Sequence, residues 1–248
     1  MNRIVCWFSC GAASAVATKL AIVENAGKLP LTVARCIVRE EHPDNDRFAA
    51  DCGEWFGVPI TNLVSEKYNG SIFEVFAARR YISGINGAPC TLLLKKDVRR
   101  ACELPTDRHV FGYCAEEQKR WDSFLDANNI NAHSPLIERG LEHSDCLAMI
   151  EKAGIRLPDM YRLGYQHNNC IGCCKASGSG YWNKIRDDFP LQFERMAKVS
   201  REVGARLIKD KNGNRIFLDE LKLGAGNYQT EQEIQCGIFC EMAQQEIT

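Results

Sequence analysis

Short apolar runs alternate with amphipathic segments along the first part of the chain. The runs at residues 3–8, 31–38 and 58–64 have strand length, whereas residues 13–25 and 44–56 carry apolar side chains at helical spacing. This order of strands and helices is typical of a parallel sheet covered by helices. We therefore predict an α/β fold with a doubly wound, mostly parallel sheet flanked by helices.

The remaining pattern continues this alternation and ends in a cysteine-bearing extension. It predicts a strand at 108–113, a hairpin formed by 206–208 and 215–218, and helices at 71–80, 91–102, 116–128, 141–153 and 191–204. We place a boundary near residue 180. Residues 1–180 are then an α/β domain, and residues 181–248 are a helical and hairpin extension with a cysteine tail.

The charge balance argues against broad adhesion to nucleic acid. The 248 residues include 31 basic and 32 acidic side chains, which gives a formal net charge of −1. The chain shows no secretory signal and no apolar stretch of membrane-spanning length, so we expect a cytoplasmic protein without a membrane partner. In that compartment the 13 cysteines are not expected to form a disulfide framework, and clustered ones indicate metal binding.

A loop of small residues follows the first predicted strand and leads into a helix. Ser9, Gly11 and Ser14 lie in this loop. Small side chains at such a turn let backbone N–H groups approach phosphate oxygens, and the helix N-terminus favours negative charge. The loop is therefore a candidate phosphate site, although the same turn also occurs where only close packing is required.

Three thiols lie within five residues of one another at Cys170, Cys173 and Cys174. Two cysteines separated by two residues can face the same metal, and Cys90 lies on a distant loop that suits a further ligand. An iron–sulfur cluster is our first interpretation, and zinc is the alternative. A zinc ribbon normally has a second closely spaced cysteine pair, which this chain lacks. The fourth ligand remains open between Cys174, the tail cysteines and a non-protein group.

Several motifs, in order along the chain, resemble the phosphoadenosine phosphosulfate (PAPS) reductase family. This family belongs to the adenine nucleotide alpha-hydrolase superfamily, also called PP-loop ATP pyrophosphatases. Residues 9–14 resemble its pyrophosphate-binding loop, with Cys10 and Ala13 departing from the usual form. Cys90 with its basic pair, and the motif at residues 158–173, follow the family order, so the resemblance spans roughly residues 3–175.

The resemblance implies that residues 1–180 bind an adenine nucleotide, either ATP or an adenylylated sulfate, beside a 4Fe-4S cluster. The nucleotide-binding residues that it implies are Ser9, Cys10, Gly11, Ala12, Ala13, Ser14, Asp44, Lys95, Lys96, Gly112 and Arg120. Iron–sulfur members of the family carry two adjacent cysteines where this chain has Cys90 alone. Tyr113 and Cys114 stand where the family has an arginine.

The tail from Cys236 resembles the family segment whose cysteine attacks the substrate sulfur. Here Gln235 replaces a glutamate, and Phe239 with Cys240 replaces a histidine. Three roles stay open for these thiols. Cys236 is our candidate nucleophile, Cys240 is our candidate fourth metal ligand beside Cys90, Cys170 and Cys173, and simple packing of the tail is the third.

Two enzymatic functions and one regulatory function are consistent with these motifs. The first is reduction of adenylylated sulfate by Cys236, with a thioredoxin-like electron donor restoring the thiol. The second is an ATP-dependent sulfurtransferase that thiolates a nucleic acid and resembles tRNA thiolation or DNA phosphorothioation enzymes. The third is a nucleotide-binding module whose cluster senses redox state. An oligomer is compatible with all three.

Overall fold

The computed structural model describes residues 2–84 and 87–247. The strands are β1 (Ile4–Trp7), β2 (Leu31–Cys36), β3 (Ile60–Leu63), β4 (Arg108–Val110), β5 (Ala132–His133), β6 (Ile208–Lys209) and β7 (Arg215–Ile216). The α-helices are α1 (Ala12–Asn25), α2 (Asp44–Phe56), α3 (Ile72–Arg79), α4 (Pro89–Thr91), α5 (Asp97–Cys102), α6 (Gln118–Asn128), α7 (Pro135–Glu138), α8 (His143–Lys152), α9 (Asp159–Arg162), α10 (Ser179–Asp188), α11 (Pro190–Val203) and α12 (Ile238–Ile247). A π-helical turn, Leu92–Lys96, joins α4 to α5. Short 3-10 turns occur at Glu66–Tyr68, Ala115–Glu117 and Leu218–Glu220.

Five parallel strands form the central sheet in the order β3-β2-β1-β4-β5. The chain moves outward from β1 to β3 and then returns to place β4 on the other side of β1. The strand order therefore reverses between β1 and β4, and the loops that follow these two strands meet at one edge of the sheet. Sheets of this kind form their ligand crevice at such a position. The separate β6–β7 hairpin is antiparallel.

Both faces of the sheet are covered, as its apolar strands require. Alternate side chains in and just after β1 pack on one face of the sheet: Ile4, Cys6 and Phe8. Together with residues of α1, α2, α7, α8 and α12 they form a first core. On the other face, Trp7 stacks on His109 of β4. A second core joins α3, α9, α10 and α11 with the loop between α9 and α10.

The sequence predictions agree with this α/β architecture and its parallel sheet. They miss β5, α7 and α9, which are only two to four residues long, and also α10 and α12. The proposed division near residue 180 lies at the second residue of α10, and the second core contains residues from both sides of it. The division into two domains therefore stays a prediction. In the part of the chain that the structure describes, no helix combines the length and the apolar character needed to cross a bilayer.

Candidate functional site

The turn between β1 and α1 is closed by its own serine side chains. Ser14 Oγ accepts hydrogen bonds from the Ser9 amide at 3.0 Å and the Ser9 hydroxyl at 3.1 Å. It donates to the Gly11 carbonyl at 2.9 Å. Cys10 adopts a positive φ of 58°, which lets the chain reverse sharply before the helix begins. The N-terminus of α1 is thereby directed to the edge of the sheet where the strand order reverses.

Gly112, just after β4, packs directly against the first turn of α1. A Cβ atom at this position would lie 2.6 Å from the Ser14 amide nitrogen and 2.7 Å from the Ala13 carbonyl carbon. These distances are far below van der Waals contact, and both neighbours are backbone atoms that cannot rotate away. Only glycine therefore allows the loop after β4 to lie against the loop after β1.

The loop that precedes the cysteine cluster also holds this turn. The Ala12 amide donates to the Tyr161 hydroxyl at 3.4 Å, and Asn168 Nδ2 donates to the Cys10 carbonyl at 2.6 Å. His143 Nε2 lies 3.5 Å from the same Tyr161 hydroxyl. The motif at residues 158–173 and the small-residue loop are therefore parts of one local structure, although about 150 positions of sequence separate them.

The turn contains a buried thiol, and a buried cation lies close to it. Arg35 of β2 is 5% exposed, and its Nη1 donates to Asp46 Oδ1 at 2.8 Å. Its Nε has no hydrogen-bond partner within the described ranges 2–84 and 87–247. Burial raises the pKa of the Cys10 thiol to about 12, which the charge of Arg35 only partly offsets. Cys10 therefore stays a protonated, unreactive thiol at neutral pH.

An ion pair connects the turn to the cysteine cluster. Lys95 Nζ donates to Glu41 Oε1 at 3.0 Å, and Asn45 Nδ2 donates to Glu41 Oε2 at 3.2 Å. The Glu41 carboxylate raises the pKa of Lys95 above its ordinary value, so the amine stays charged. The same ammonium interacts electrostatically with both Cys10 and Cys170. Lys95, predicted to bind nucleotide, thus lies between the turn and the thiols.

Four thiols converge on the other side of this ion pair. Cys90 is in α4, and Cys170, Cys173 and Cys174 are in the loop between α9 and α10. The Sγ atoms of Cys90 and Cys174 are 3.9 Å apart. The hydrogen bond from Cys174, helped by nearby lysine charges, lowers the pKa of Cys90 to about 7, whereas burial raises the pKa of Cys170 and of Cys173. The structure thus brings Cys174 into the predicted group.

Helix α10 and the chain after β2 hold the cysteine loop in place. The Ile171 amide donates to the Glu40 carbonyl at 2.8 Å, and the Cys173 amide donates to the Tyr181 hydroxyl at 2.8 Å. Trp182 is fully buried, and its Nε1 donates to the Ala176 carbonyl at 2.8 Å. The loop is therefore fixed at both its start and its end by groups outside it.

The spacing of the thiols can be compared with what each kind of metal centre requires. Tetrahedral zinc binds sulfur at about 2.3 Å, which puts its ligand sulfurs roughly 3.8 Å apart. Within residues 2–84 and 87–247, the one group of three candidate ligand atoms all within 4.8 Å of one another contains no thiol and consists of Glu24, His133 and Glu138. A cluster places iron and sulfide atoms between its ligands and accepts wider spacing. The 3.9 Å between the Cys90 and Cys174 sulfurs matches the zinc spacing, whereas no three thiols among the described residues lie within 4.8 Å of one another, so the four-thiol donor set is compatible with a cluster or with zinc.

Asp44, predicted to bind nucleotide, is at the centre of an ion-pair network. Its carboxylate accepts hydrogen bonds from Arg47 Nε at 2.9 Å, Arg156 Nη2 at 2.8 Å and the Asp159 amide at 2.9 Å. Burial alone would raise its pKa, but the contacts with Arg47, Asp159 and Arg156 outweigh burial and lower it. Asp44 thus ties the start of α2 to the start of α9.

Replacing Asp44 with asparagine is expected to lower the free energy of unfolding by about 1–3 kcal/mol near pH 7. The folded-state pKa of Asp44 lies below its unfolded value, so its charge stabilises the fold above about pH 4, and this contribution disappears as the pH falls through the folded pKa. Urea unfolding at about pH 7 and about pH 3 should show the wild type and Asp44→Asn converging in acid. Asp126→Asn, at an exposed site in α6, is the control. A stability difference that does not change with pH would contradict this explanation.

Two other predicted nucleotide residues are on the surface. Lys96 is exposed at the end of the π-helical turn. Arg120 pairs with Glu117, and its guanidinium carbon lies 5.1 Å from the ring centre of Tyr113. The side chain of Arg120 is 70% exposed. Arg120 therefore contacts the 3-10 turn that precedes its helix and the residue after Gly112.

The tail cysteines form a separate group. Cys236 and Cys240 are joined by a disulfide, and Cys240 is buried in the first core, whereas Cys90 and Cys174 contact the second. Because α12 packs on α1 and α8, the structure does not group Cys240 with Cys90, Cys170 and Cys173. Cys174, the alternative fourth ligand, is the thiol that lies 3.9 Å from Cys90. Cys236 Sγ lies 2.9 Å from Lys152 Nζ.

Sequence reasoning missed several polar residues of this region. Each of these residues contacts the turn, a neighbour of the turn or another member of the set: Arg35, Glu41, Tyr161, Asn168 and His143. The position of Arg35 near the end of an apolar strand was a usable signal, because a charged residue there reaches the crevice edge. The roles of Asn168 and His143 depend on tertiary contacts that no local pattern indicates.

Comparisons with known proteins leave the family unassigned. No model of a known protein family matches this chain. No curated protein matches it significantly either. The fold and the site therefore define an α/β protein with a parallel sheet, a small-residue turn at the crevice and four neighbouring thiols.

Proposed function

We propose that this chain is a PAPS reductase-like enzyme of the adenine nucleotide alpha-hydrolase superfamily, with a doubly wound sheet, and that it acts in sulfur metabolism. One observation carries the proposal. The small-residue turn at the sheet crevice and the group of Cys90, Cys170, Cys173 and Cys174 are joined by a single ion pair, Lys95 with Glu41. A phosphate-binding turn beside a thiol cluster suits an enzyme that acts on sulfur attached to a nucleotide.

The nucleotide site is supported by three features of the turn. The N-terminus of α1 provides backbone N–H groups and the positive end of the helix dipole. Gly112 lets the loop after β4 lie directly against this first turn, with no side chain between them. The buried guanidinium of Arg35 adds positive charge below it. An adenine nucleotide would place its phosphates over residues 9–14, at the edge where parallel sheets of this kind bind ligands.

The four thiols would hold a 4Fe-4S cluster, which supplies electrostatic influence or electron storage beside the substrate when bound. Cluster ligation requires thiolates, and negative charge in a buried site needs a compensating cation. Lys95 provides this cation, because its ammonium interacts with Cys170 and the Glu41 carboxylate keeps the ammonium charged. Tyr181 and Trp182 hold the ligand loop and cover it.

In the reductase reaction the Cys236 thiolate attacks the sulfur of an adenylylated sulfate. The bond between that sulfur and the phosphate oxygen breaks, and the adenine nucleotide leaves with the oxygen. Cys236 then carries an S-sulfonate. Attack by a second thiol on Cys236 Sγ releases sulfite and forms a disulfide, and a thioredoxin-like dithiol restores the two thiols. The contact between Lys152 and Cys236 supports this role, since an ammonium stabilises a thiolate.

A second candidate is the ATP-dependent sulfurtransferase that acts on a nucleic acid. Arg120 is held by Glu117 and Tyr113, and Tyr113 and Cys114 occupy the place of the family arginine. A site with fewer cations for a sulfate group favours ATP as the ligand. The two enzymes differ in products. The reductase releases sulfite without using ATP, whereas the transferase releases AMP and pyrophosphate only with an acceptor RNA or DNA. A redox-sensing module would do neither.

The cluster is tested by anaerobic purification with absorbance spectra and assays of iron, sulfide and zinc. The wild type and Cys102→Ser, a control at an exposed free cysteine, should both be brown and contain about four irons and four sulfides per chain. Cys173→Ser and Cys174→Ser should lose most of both, and Cys240→Ser should keep them. A colourless wild-type protein, or one that contains zinc, would contradict the cluster. If Cys174→Ser kept its iron and sulfide while Cys240→Ser lost them, the assignment of Cys174 as the fourth ligand would be wrong.

A further inference from the structure

Arginines without an ion-pair partner are concentrated in one part of the molecule. Of the 18 arginines, 12 pair with a carboxylate. The other six have no such partner in the part of the chain that the structure describes, and all of them lie at the end of α3 or between α10 and β7: Arg79, Arg80, Arg186, Arg195, Arg206 and Arg215. Arg186 donates inward to the Leu218 and Leu221 carbonyls, whereas the other five are exposed.

Residues 195–215 give this region a strong local charge. They include seven basic and two acidic side chains, which is a formal charge of +5 in a chain whose formal net charge is −1. Arg201 is neutralised by two carboxylates that follow β7. The two acidic residues are Glu202, which is exposed, and Asp210, which accepts the Asn214 amide in the hairpin turn. The three lysines are exposed and have no ion-pair partner within residues 2–84 and 87–247: Lys198, Lys209 and Lys211.

One row of these cations runs along α11. Positions 195, 198 and 201 are three residues apart, so their side chains are neighbours on the helix surface. Arg195 lies over the ring of Phe73 in α3, with its guanidinium carbon 3.9 Å from the ring centre. Arg80 Nη2 donates to the Glu202 carbonyl at 3.5 Å. The end of α3 therefore adds its two arginines to this row.

The hairpin continues the row as far as the cysteine loop. Arg215 Nη1 donates to the Arg206 carbonyl at 3.4 Å, and Lys209 is the register partner of Arg215 in the β6–β7 pair. The Lys209 amide donates to the Ser177 carbonyl at 3.3 Å. Ser177 follows Cys174 by three positions. The basic surface, which comprises the end of α3, α11 and the hairpin, thus ends beside the loop that carries three of the four thiols.

The chemistry of the basic surface matches a chain of phosphates. Cations that have no partner within the protein can bind phosphodiester oxygens, and the planar guanidinium suits this contact. No large apolar side chain from residue 192 to residue 222, all of which the structure describes, is exposed. The surface therefore lacks the apolar groups that insert an amphipathic helix into a membrane or form the centre of a protein interface. Positions 195 to 201 span about 9 Å of α11, roughly two to three nucleotide steps of a strand.

We propose that the basic surface binds nucleic acid and holds the phosphodiester backbone of RNA or DNA beside the cysteine loop. Contacts to the backbone set the position of the strand without selecting its sequence. The inference goes beyond the proposed reductase, which needs no nucleic acid, and it depends on neither the nucleotide nor the cluster. The net charge of the whole chain conceals this surface, because acidic residues elsewhere balance it.

Binding is measured by fluorescence anisotropy on the full-length protein, purified anaerobically. The probes are labelled oligonucleotides of about 20 residues and mixed sequence, as single-stranded RNA, single-stranded DNA and the two duplexes. The wild type should bind at least one probe with a Kd below about 10 μM at about 50 mM salt. The slope of log affinity against log salt concentration should be about −3 to −6. The preferred probe then distinguishes RNA from DNA.

Two triple variants with the same change in charge separate the basic surface from the charge of the whole protein. The test variant removes three cations of the surface: Lys198→Gln, Lys209→Gln and Lys211→Gln. The control removes three exposed lysines elsewhere: Lys28→Gln, Lys67→Gln and Lys119→Gln. The test variant should bind at least about tenfold more weakly at about 50 mM salt, with a salt slope smaller by about two, and the control should stay within about twofold of the wild type. Circular dichroism checks that both variants fold.

Crosslinking to the preferred probe, followed by peptide mass mapping, locates the contact on the wild-type protein. Crosslinks should lie within residues 175–215 or at the end of α3. The proposal is wrong if no probe binds, if both triple variants weaken binding equally, or if the crosslinks lie elsewhere. Tighter binding to polyglutamate, or binding only to vesicles that contain phosphatidylserine, would assign the surface to an acidic protein or a membrane instead. Iron content and sulfite release do not enter this test, so the proposed function and this proposal fail separately.

Discussion

Replacing Gly112 with alanine is expected to abolish adenine nucleotide binding and to lower the free energy of unfolding by about 2–3 kcal/mol. The new Cβ would lie 2.6 Å from the Ser14 amide nitrogen, so either the loop after β4 or the first turn of α1 must move. Movement of either one disrupts the turn proposed to receive the phosphates. Urea unfolding measures the stability, and calorimetric titration with ATP or an adenylylated sulfate measures the binding.

The matched control is Gly178→Ala at the start of α10. Gly178 has an ordinary φ of −79°, and a Cβ atom there would have no atoms within 4 Å. This variant should bind nucleotide like the wild type and lose only about 0.3 kcal/mol of stability. If Gly112→Ala still binds nucleotide with wild-type affinity, residues 9–14 are not the phosphate site.

Replacing Trp182 with alanine should have the largest effect on stability, about 3–5 kcal/mol, or roughly 10 °C in melting temperature. The side chain is fully buried between the cysteine loop and α11, where it packs against Gly172 and Phe193. Its loss also removes the hydrogen bond to the Ala176 carbonyl. We therefore expect reduced iron content as well, measured on protein reconstituted at a temperature where the variant remains folded.

Trp55→Ala provides the comparison for this prediction. Trp55 is partly buried on α2, where it packs at the edge of the first core. Its removal should cost less stability and leave the iron content unchanged, because no part of the cysteine loop depends on it. Equal iron loss in both variants would mean that general destabilisation, rather than support of the loop by Trp182, causes the effect.

The central layer of the fold was predictable because its signals are local. Apolar runs of strand length alternate with segments whose apolar residues have helical spacing. Helix α2 also shows how clearly the sequence can mark the two ends of a helix. Asp44 and Asp46 lie in its first turn, and Gly57 ends it with a φ of 69°. The helix α12 and the disulfide were missed because the tail gains its structure by packing on α1 and α8, and no pattern within the tail specifies that contact.

The candidate site was predictable in part. The turn at residues 9–14 and the cysteines near residue 170 are visible as unusual local composition. The pairing of Cys90 with Cys174 rather than with Cys240 depends on which core each loop joins. The role of Asp44 stays a prediction, because a carboxylate at a helix start has the same sequence signal whether it binds a ligand or, as here, three neighbouring residues. The positions of buried charges are therefore a tertiary property.

The π-helical turn Leu92–Lys96 sets the rotational phase between Cys90 and Lys95. In a regular α-helix, residues five apart are rotated by about 140° from each other, so these two side chains would lie on nearly opposite sides. A wider turn brings positions five apart close to alignment. The thiol and the ammonium can then serve the same pocket from one continuous helix. The π-helical turn thus corrects the angle between the two side chains. The chemistry of Cys90 therefore depends on the pitch of the backbone as well as on the identity of its neighbours.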